Sequence, residues 1–472
     1  MEKVKQLFKQ ERTYKILFVI FMFILCFIFS QNVRLRNAPD ERMKEQVCKY
    51  IYDNGTLPKG DEEEILDPTW GTSYAFTPYI PYIIGGYLMR FFGNFINNYD
   101  TLFYIARFVN VLTFTGCIIF IIKIADLLFD KHKPYKWFFI TLISLLPQFV
   151  YLGSYLNTDI FALLTISIII YNWIKGMKTG WCWKNVFGLA IGIGLCALSY
   201  YNSYGYILMS VPLFIISYIL TKKKEAIKEK KEDYKKQIVL GLLKKGLAII
   251  GIVFAIAGWW FIRNSIIHDG DFLGMKSSDQ CAEIHAEEEF KPSKHPTSQK
   301  NGESIQHMMV FGHWLRETFK TFICVFSYWK IPLSRLYYFI FFFIYAIGFI
   351  GTILYFIKNI KTKYYKENFN KLILEITFLI CMGINMFLSV YYSWTTDFQP
   401  QGRYLMPSLI PLTYFAITGF KEVMERIFNT KKLKKKNKDK KLEYKVVYIT
   451  TGVTSVLLLA YIIYAITVQI WI

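Results

Sequence analysis

Hydrophobic residues in this chain form long runs that are separated by short polar and mostly basic segments. An α-helix needs about 20 apolar residues to cross a bilayer, and the pattern predicts about eleven such spans. The predicted spans are residues 14–30, 102–124, 137–153, 159–173, 185–200, 203–220, 246–262, 336–357, 372–392, 404–420 and 446–468. We therefore expect an all-α polytopic membrane protein whose residues 1–472 form a single transmembrane domain.

Two long segments, residues 31–101 and 263–334, carry no predicted span, and we expect both to lie outside the membrane on one side. Within the first, apolar residues recur at helical spacing, which predicts a helix that lies along the membrane surface with its apolar side toward lipid. These residues are Met43, Val47, Tyr50 and Ile51. Tyr and Trp favour headgroup depth, so residues 70–93 and 314–329 predict further interfacial helices.

The composition is 54% hydrophobic and 18% aromatic, and the formal net charge is +21. The basic residues cluster between spans, at 131–136, 222–245, 358–366 and 421–445. Lys and Arg accumulate in cytoplasmic loops of membrane proteins, so this charge indicates topology rather than a nucleic-acid partner. It predicts a cytoplasmic N-terminus and both long segments outside. A separate bias toward Ile, Lys, Asn, Phe and Tyr suggests an AT-rich bacterial genome, and with it a location in the bacterial cytoplasmic membrane.

The motif Asn-Ala-Pro-Asp-Glu-Arg at residues 37–42 follows the first span directly. Pro39 suits a helix start, and Asp40 and Glu41 then fall in the first turn, where the helix dipole favours carboxylates. Two interpretations stay open: the acids only favour the helix start, or one of them is a catalytic carboxylate at the water–lipid boundary.

Almost no ionisable residue lies within the predicted spans, and acids and arginines gather at their outer ends instead. Asp159 suits either a helix cap, together with Asn157 and Thr158, or a functional carboxylate. Arg403, in a Gln-Pro-Gln-Gly-Arg-Tyr turn, suits either a contact with lipid headgroups or a bidentate contact with a phosphate. Arg263 allows the same two interpretations.

Acidic residues also raise the question of a metal ion. Hard divalent cations accept carboxylate and phosphate ligands together, so Asp40, Glu41 and Asp159 could bind Mg²⁺ or Mn²⁺. Five histidines in residues 263–334 do not follow a zinc-ligand spacing. Cys48 and Cys281 both fall in segments expected outside, which leaves a disulfide between them open.

The order of these motifs resembles the GT-C superfamily of membrane glycosyltransferases. The chain is similar to protein O-mannosyltransferases and to the aminoarabinose transferase of lipid A, and closest to a bacterial branch of large membrane proteins. The matching features are Ala-Pro-Asp-Glu at 38–41, Leu-Asn-Thr-Asp at 156–159, the segment 260–264 followed by His-Asp-Gly-Asp at 268–271, and Gln-Gly-Arg-Tyr-Leu at 401–405.

This resemblance implies inverting transfer from a polyprenyl-phosphate-linked sugar to a cell-envelope glycan, glycolipid or protein on the outer membrane face. Asp40 would be the general base, beside Glu41 as a second catalytic candidate. The substrate-binding candidates are Arg42, Asp159, Arg263, Gln401, Arg403 and Tyr404. The expected absence of a soluble C-terminal domain departs from some relatives and leaves the acceptor open. A polysaccharide polymerase or ligase, or a flippase of lipid-linked glycans, is the alternative function.

Overall fold

A computed structural model describes residues 2–130, 132–229, 234–326, 331–332, 335–428 and 436–471. Its α-helices are α1 Glu2–Asn32, α2 Glu41–Asn54, α3 Ile80–Phe92, α4 Tyr99–Phe129, α5 Lys133–Ser144, α6 Pro147–Ser154, α7 Asp159–Thr179, α8 Trp183–Ala197, α9 Tyr204–Lys228, α10 Tyr234–Ile267, α11 Met275–His285, α12 Ile305–Val310, α13 Trp314–Ile323, α14 Arg335–Lys361, α15 Tyr364–Glu367, α16 Phe369–Thr395, α17 Leu409–Phe428 and α18 Lys436–Trp471. Three 3₁₀ turns lie at Glu63–Ile65, Tyr201–Ser203 and Gly402–Ser408. Two strands of two residues each, β1 Val325–Phe326 and β2 Ile331–Pro332, pair antiparallel.

The all-α membrane architecture is confirmed, with fewer spans than the sequence predicts. In the described part of the chain, eight helices are long and apolar enough to cross a bilayer, and the count reaches nine if α5 and α6 form one span. Outward-facing residues of α10, such as Leu247, Ile250 and Phe254, are more than 60% exposed. Such exposed apolar surface indicates contact with lipid.

The remaining predicted spans differ for local reasons. Residues 137–153 form α5 and α6, which meet at a bend of 50°. Pro147 cannot donate a backbone hydrogen bond and Leu146 before it is extended, so the helix breaks there. Residues 185–200 form the 15-residue helix α8, and residues 404–420 begin as a 3₁₀ turn before α17.

Helix α17 is nevertheless an interior element of the bundle. It packs closely against α14: a Cβ atom built on Gly419 would lie 1.8 Å from the carbonyl oxygen of Gly348, so only glycine fits there. Glycine and alanine allow such close backbone approach between membrane helices. Almost every residue of α17 up to Phe420 is buried.

Both non-spanning helices of residues 31–101 form, but α2 is packed inside the protein rather than against lipid. Its apolar residues Val47 and Ile51 are fully buried against α3 and α4. A Cβ atom on Gly86 of α3 would lie 2.7 Å from the Cβ atom of Ile51, so glycine is required for this contact. The third predicted helix forms as α13, while Trp329, at the end of that prediction, lies outside the described residues.

A fully buried ion pair joins α2 to the bundle. Glu41, the first residue of α2, accepts from Nε and Nη2 of Arg107 in α4 at 2.7 and 2.6 Å. Arg107 also donates to the carbonyl oxygens of Ser30 and Val33 at the end of α1. The backbone N–H groups of Arg36 and Leu156 complete the hydrogen bonds to Glu41. One carboxylate therefore links α1, α2, α4 and the segment before α7.

Replacing Glu41 by Gln should destabilise the protein severely, because it leaves the buried Arg107 cation without a counter-charge. Breaking a buried pair typically costs about 3–5 kcal/mol. Thermal unfolding in detergent measures this. Arg42→Gln, an exposed neighbour, should change stability by less than about 0.5 kcal/mol. Equal melting temperatures for the two variants would contradict a structural role for Glu41.

Candidate active site

The backbone at Asp40 turns its side chain away from the helix that follows. Asp40 is the N-cap residue of α2, with φ 57° and ψ 11°, and its side chain makes no capping hydrogen bond. The prediction that Asp40 lies in the first helical turn is therefore wrong. A non-glycine residue in this left-handed conformation costs of order 1–3 kcal/mol, and such residues cluster at functional sites. The carboxylate is thus free to point into the protein.

Two buried cations flank the Asp40 carboxylate. Arg403, which is 7% exposed, donates from Nη2 to Oδ2 of Asp40 at 2.7 Å. The Nζ atom of Lys44, a residue only 2% exposed, lies 3.8 Å from the same oxygen. Burial alone raises the pKa of Asp40, but Arg403 and Lys44 outweigh it and hold that pKa well below its usual range. Asp40 is therefore ionised in the resting protein.

The turn that carries Arg403 is held by close packing against α13. Thr321 accepts a hydrogen bond from the N–H of Gly402 at 2.7 Å. A Cβ atom on Gly402 would lie 2.1 Å from the backbone nitrogen of Phe322, so only glycine allows this approach. Asn385 donates to the carbonyl oxygen of Tyr404 at 2.8 Å. In the Gln-Gly-Arg-Tyr motif, these contacts hold the backbone around Arg403 and so position its guanidinium.

Several polar groups beside this ion pair have spare hydrogen-bonding capacity. No described residue accepts from the buried Nε of Arg403 or pairs with the buried hydroxyl of Tyr155. The ammonium of Lys44 donates to the carbonyl oxygen of Pro39 at 2.9 Å and lies over the rings of Tyr74 and Tyr155. Buried donors without partners are rare in native proteins, and an anionic ligand would provide the acceptors that these donors lack.

Asp159 belongs to the same charged cluster. Its carboxylate interacts with Arg403, Lys44 and Asp40. The helix cap of α7 is made instead by Asn157, whose side-chain oxygen accepts from the N–H of Ile160 at 3.0 Å. Asp159 is therefore not needed as the cap, and of the two interpretations the structure favours a carboxylate that faces the cluster.

The other predicted site residues are divided between the cluster and its surroundings. Tyr404 lies in the cluster: burial raises its pKa to about 12, so it stays protonated, and its hydroxyl donates to Gln399. Gln401 donates weakly to the same Gln399 at 3.5 Å. Arg42 is exposed on the outer side of α2.

Arg263 and Glu41 hold other parts of the structure. Arg263 donates to the carbonyl oxygens of Leu57 and Pro58 at 3.1 and 2.9 Å, so it anchors a loop. Glu41 is saturated by its contacts with Arg107 and two backbone N–H groups. The prediction of Glu41 as a second catalytic acid does not fit this environment.

The surroundings of the cluster's carboxylates do not favour a metal ion. Among the described residues, no group of three or more His, Cys, Asp and Glu side chains is arranged to hold a metal ion. The donor set is also unsuitable, since Arg403 and Lys44 occupy the space beside Asp40 that a divalent cation would need. Cys48 and Cys281 are both free thiols, so the disulfide considered between them is not formed.

Sequence reasoning missed Lys44 and Tyr155. Lys44 follows Asp40 by four residues, the spacing that places two helical side chains on one face, so this signal was available. Tyr155 carries no local signal, because its proximity to Lys44 arises only in the tertiary structure.

Residues 9–413 match the family model of DUF2142, described as a predicted membrane protein. The chain belongs to the DUF2142 family. No curated protein matches it. The matched region of this DUF2142 protein contains the whole charged cluster, from Asp40 to Arg403.

The depressed pKa of Asp40 gives a pH dependence with a defined sign. A carboxylate whose pKa is lowered by folding stabilises the protein above its unfolded value of about 3.9 and loses that contribution as the pH falls below it. The difference in melting temperature between wild type and Asp40→Asn should therefore be equal at pH 7.5 and 5.5. Asparagine tolerates the left-handed backbone, which keeps the comparison clean.

The matched control for this measurement is Asp53→Asn, which removes an exposed carboxylate from the same helix. This variant should differ little from wild type at either pH. A wild-type advantage over Asp40→Asn that is larger at pH 5.5 than at pH 7.5 would show a raised rather than a lowered pKa for Asp40.

Proposed function

We propose that this protein is an inverting glycosyltransferase that takes its sugar from a polyprenyl-phosphate donor. The observation that carries the proposal is the Asp40 carboxylate between two buried cations, Arg403 and Lys44, which have unpaired donors beside them. The chemistry needs both parts, a base for the acceptor and fixed positive charge for the phosphate. A helical bundle with lipid-facing apolar surfaces suits a donor whose prenyl tail stays in the membrane.

The phosphate of the donor would bind to Arg403 and Lys44. A guanidinium presents several N–H donors in a planar fork that fits phosphate oxygens, and an ammonium adds a compact charge. Arg403 has a buried Nε without a partner, and Tyr155 offers an unpaired hydroxyl close to Lys44. A phosphate in this place satisfies groups that the protein alone leaves unsatisfied.

Donor binding would also activate the base. In the resting protein Asp40 is bonded to Arg403, which makes the carboxylate a weak base. A phosphate that engages Arg403 and Lys44 competes for their charge, so the pKa of Asp40 rises toward its ordinary value. The base is thereby prepared only when the donor is present, which limits futile hydrolysis.

In the transfer step, the acceptor hydroxyl attacks the anomeric carbon as Asp40 takes its proton. The bond between that carbon and the phosphate oxygen breaks, and its electron pair leaves with the polyprenyl phosphate. Arg403 and Lys44 stabilise the charge that develops on the phosphate. Attack opposite the leaving group inverts the anomeric configuration. No step is assigned to Glu41 or to a divalent cation.

The acceptor would be a glycan, glycolipid or protein of the cell envelope. In the orientation that the basic loops favour, the Asp40 end of the bundle faces the outside of the bacterial cytoplasmic membrane. A lipid-linked glycan polymerase or ligase would use the same cations on a pyrophosphate, and a flippase would bind the lipid without transferring its sugar.

Asp40→Asn should lower sugar transfer by about 100-fold or more, the scale of general-base catalysis. The measurement uses purified protein in nanodiscs with a panel of radiolabelled polyprenyl-phosphate sugars. Asp53→Asn on the same helix serves as the matched control and should transfer at the wild-type rate. Equal transfer by Asp40→Asn would remove Asp40 as the base. Binding of lipid-linked oligosaccharide without turnover of any monosaccharide donor would favour the polymerase or flippase.

Lys44→Met should raise KM for the donor more than it lowers kcat, because the apolar stem is kept and only the charge is lost. Hydrogen bonds to charged groups contribute about 1.5–3 kcal/mol, which corresponds to a rise of roughly 10-fold to 150-fold. Initial rates at varied donor concentration measure this. Lys49→Met, an exposed lysine in the same helix, is the control. An unchanged KM in Lys44→Met would contradict phosphate binding by Lys44.

A further inference from the structure

A large cavity lies at the end of the bundle opposite to Asp40. Its volume is about 1120 Å³, and it is lined by the last residues of α4, α7, α9, α14 and α17 and by the first residues of α16. Asp159 begins α7 in the charged cluster, whereas Lys178 near the end of the same helix lines the cavity. At 1.5 Å per residue these two sites are about 28 Å apart.

Six lysines and three glutamates line this cavity, which we call the lysine cavity. The lysines are Lys178, Lys224, Lys358, Lys366, Lys371 and Lys421. The glutamates are Glu367, Glu422 and Glu425. His132 adds an imidazole to the same wall. The lining therefore carries an excess of positive charge that it does not balance itself.

Half of these lysines form no ion pair in the part of the chain that the structure describes, although the charge of Asp130 acts on one of them, Lys178. Lys358 pairs with Glu422, and Lys421 contacts both Glu425 and His132. Lys371 lies 3.9 Å from Glu375. No described carboxylate lies within 4.0 Å of the other three lysines, which sit at the ends of helices and in the short α15. These are Lys178, Lys224 and Lys366, and the ammonium of Lys178 donates only to a backbone carbonyl, that of Leu127.

One wall of the cavity, near α14, α16 and α17, contains a carboxylate that already accepts three hydrogen bonds. Glu375, fully buried in α16, accepts from the hydroxyls of Tyr355, Tyr365 and Tyr414 at 2.9, 2.7 and 2.6 Å. Lys371 lies 3.9 Å from this carboxylate and over the ring of Tyr355. Glu375 therefore pairs with Lys371 and lies within 4.0 Å of no other lysine of the cavity.

The cavity also has apolar surface from three candidate membrane helices in its lining. It lies where helices α4, α7 and α9 reach the ends of their apolar segments, and Leu127, Ile174 and Leu220 contribute apolar surface to it. Basic pockets between membrane helices at this depth bind anionic lipid headgroups. A soluble phosphate compound would meet the same lysines from the aqueous side.

We propose that the lysine cavity binds a phosphate-bearing anion. The space, the unpaired lysines and the mixed apolar and basic lining all fit a phosphate group, carried either by a lipid headgroup or by a soluble molecule. The proposal does not depend on the chemistry assigned to Asp40, because the two sites share no residue.

The test compares binding of phosphate probes to the wild type and to two triple variants. Lys178→Gln, Lys224→Gln and Lys366→Gln together remove the unpaired charges of the cavity. Lys184→Gln, Lys235→Gln and Lys236→Gln remove the same number of exposed lysines elsewhere and form the matched control. Thermal stabilisation in detergent is measured with cardiolipin, phosphatidylcholine and inorganic pyrophosphate, and lipid retention by native mass spectrometry.

We expect the cavity variant to need roughly tenfold or more probe for the same stabilisation, while the control behaves like wild type. A response to cardiolipin alone identifies a lipid headgroup as the source, and a response to pyrophosphate identifies a soluble phosphate. Equal responses of the cavity and control variants would overturn the proposal, as would equal stabilisation by phosphatidylcholine and cardiolipin with no effect of pyrophosphate.

Discussion

The position of the candidate site depends on the buried pair between Glu41 and Arg107. Two ions without access to water are costly unless each is fully hydrogen-bonded, and here both are. The pair holds the start of α2 against α1 and α4, so the residue before it, Asp40, has a fixed place. Its left-handed backbone is tolerated because the surrounding contacts determine it. The carboxylate next to the structural acid is thereby directed toward Arg403.

Much of the fold follows from the length and apolarity of the helices, which is why residues 14–30 and 102–124 were predicted well as α1 and α4. Hydropathy cannot distinguish a spanning helix from a short helix that is buried by its neighbours. Helix α8 and the 3₁₀ turn before α17 show this limit. The same applies to α2, whose apolar face contacts α3 instead of lipid, since periodicity identifies a buried face without identifying what covers it.

Asp40 and Arg403 were identified from the sequence because each is a charged residue in an unusual motif at the end of a span. Their pairing was not predictable, because 363 positions separate them and only the tertiary structure brings them together. Glu41 had the same sequence signals as Asp40 and a different role. The two acids differ because Arg107 pairs with Glu41, and this pairing is decided by tertiary structure. Local sequence therefore locates such a site, but it does not show which carboxylate is structural and which is reactive.

The resting ion pair between Asp40 and Arg403 limits what both residues can do. As long as it is closed, Arg403 cannot give all its donors to a phosphate, and Asp40 is too weak a base to deprotonate a hydroxyl. Opening the pair without a ligand would leave two poorly solvated charges, which is unfavourable. In the proposed reaction, an incoming phosphate would supply the missing negative charge, with Lys44 already in place to share it. Binding of the phosphate and release of the Asp40 carboxylate would then be one event, because Arg403 and Asp40 each become available only when the other is freed.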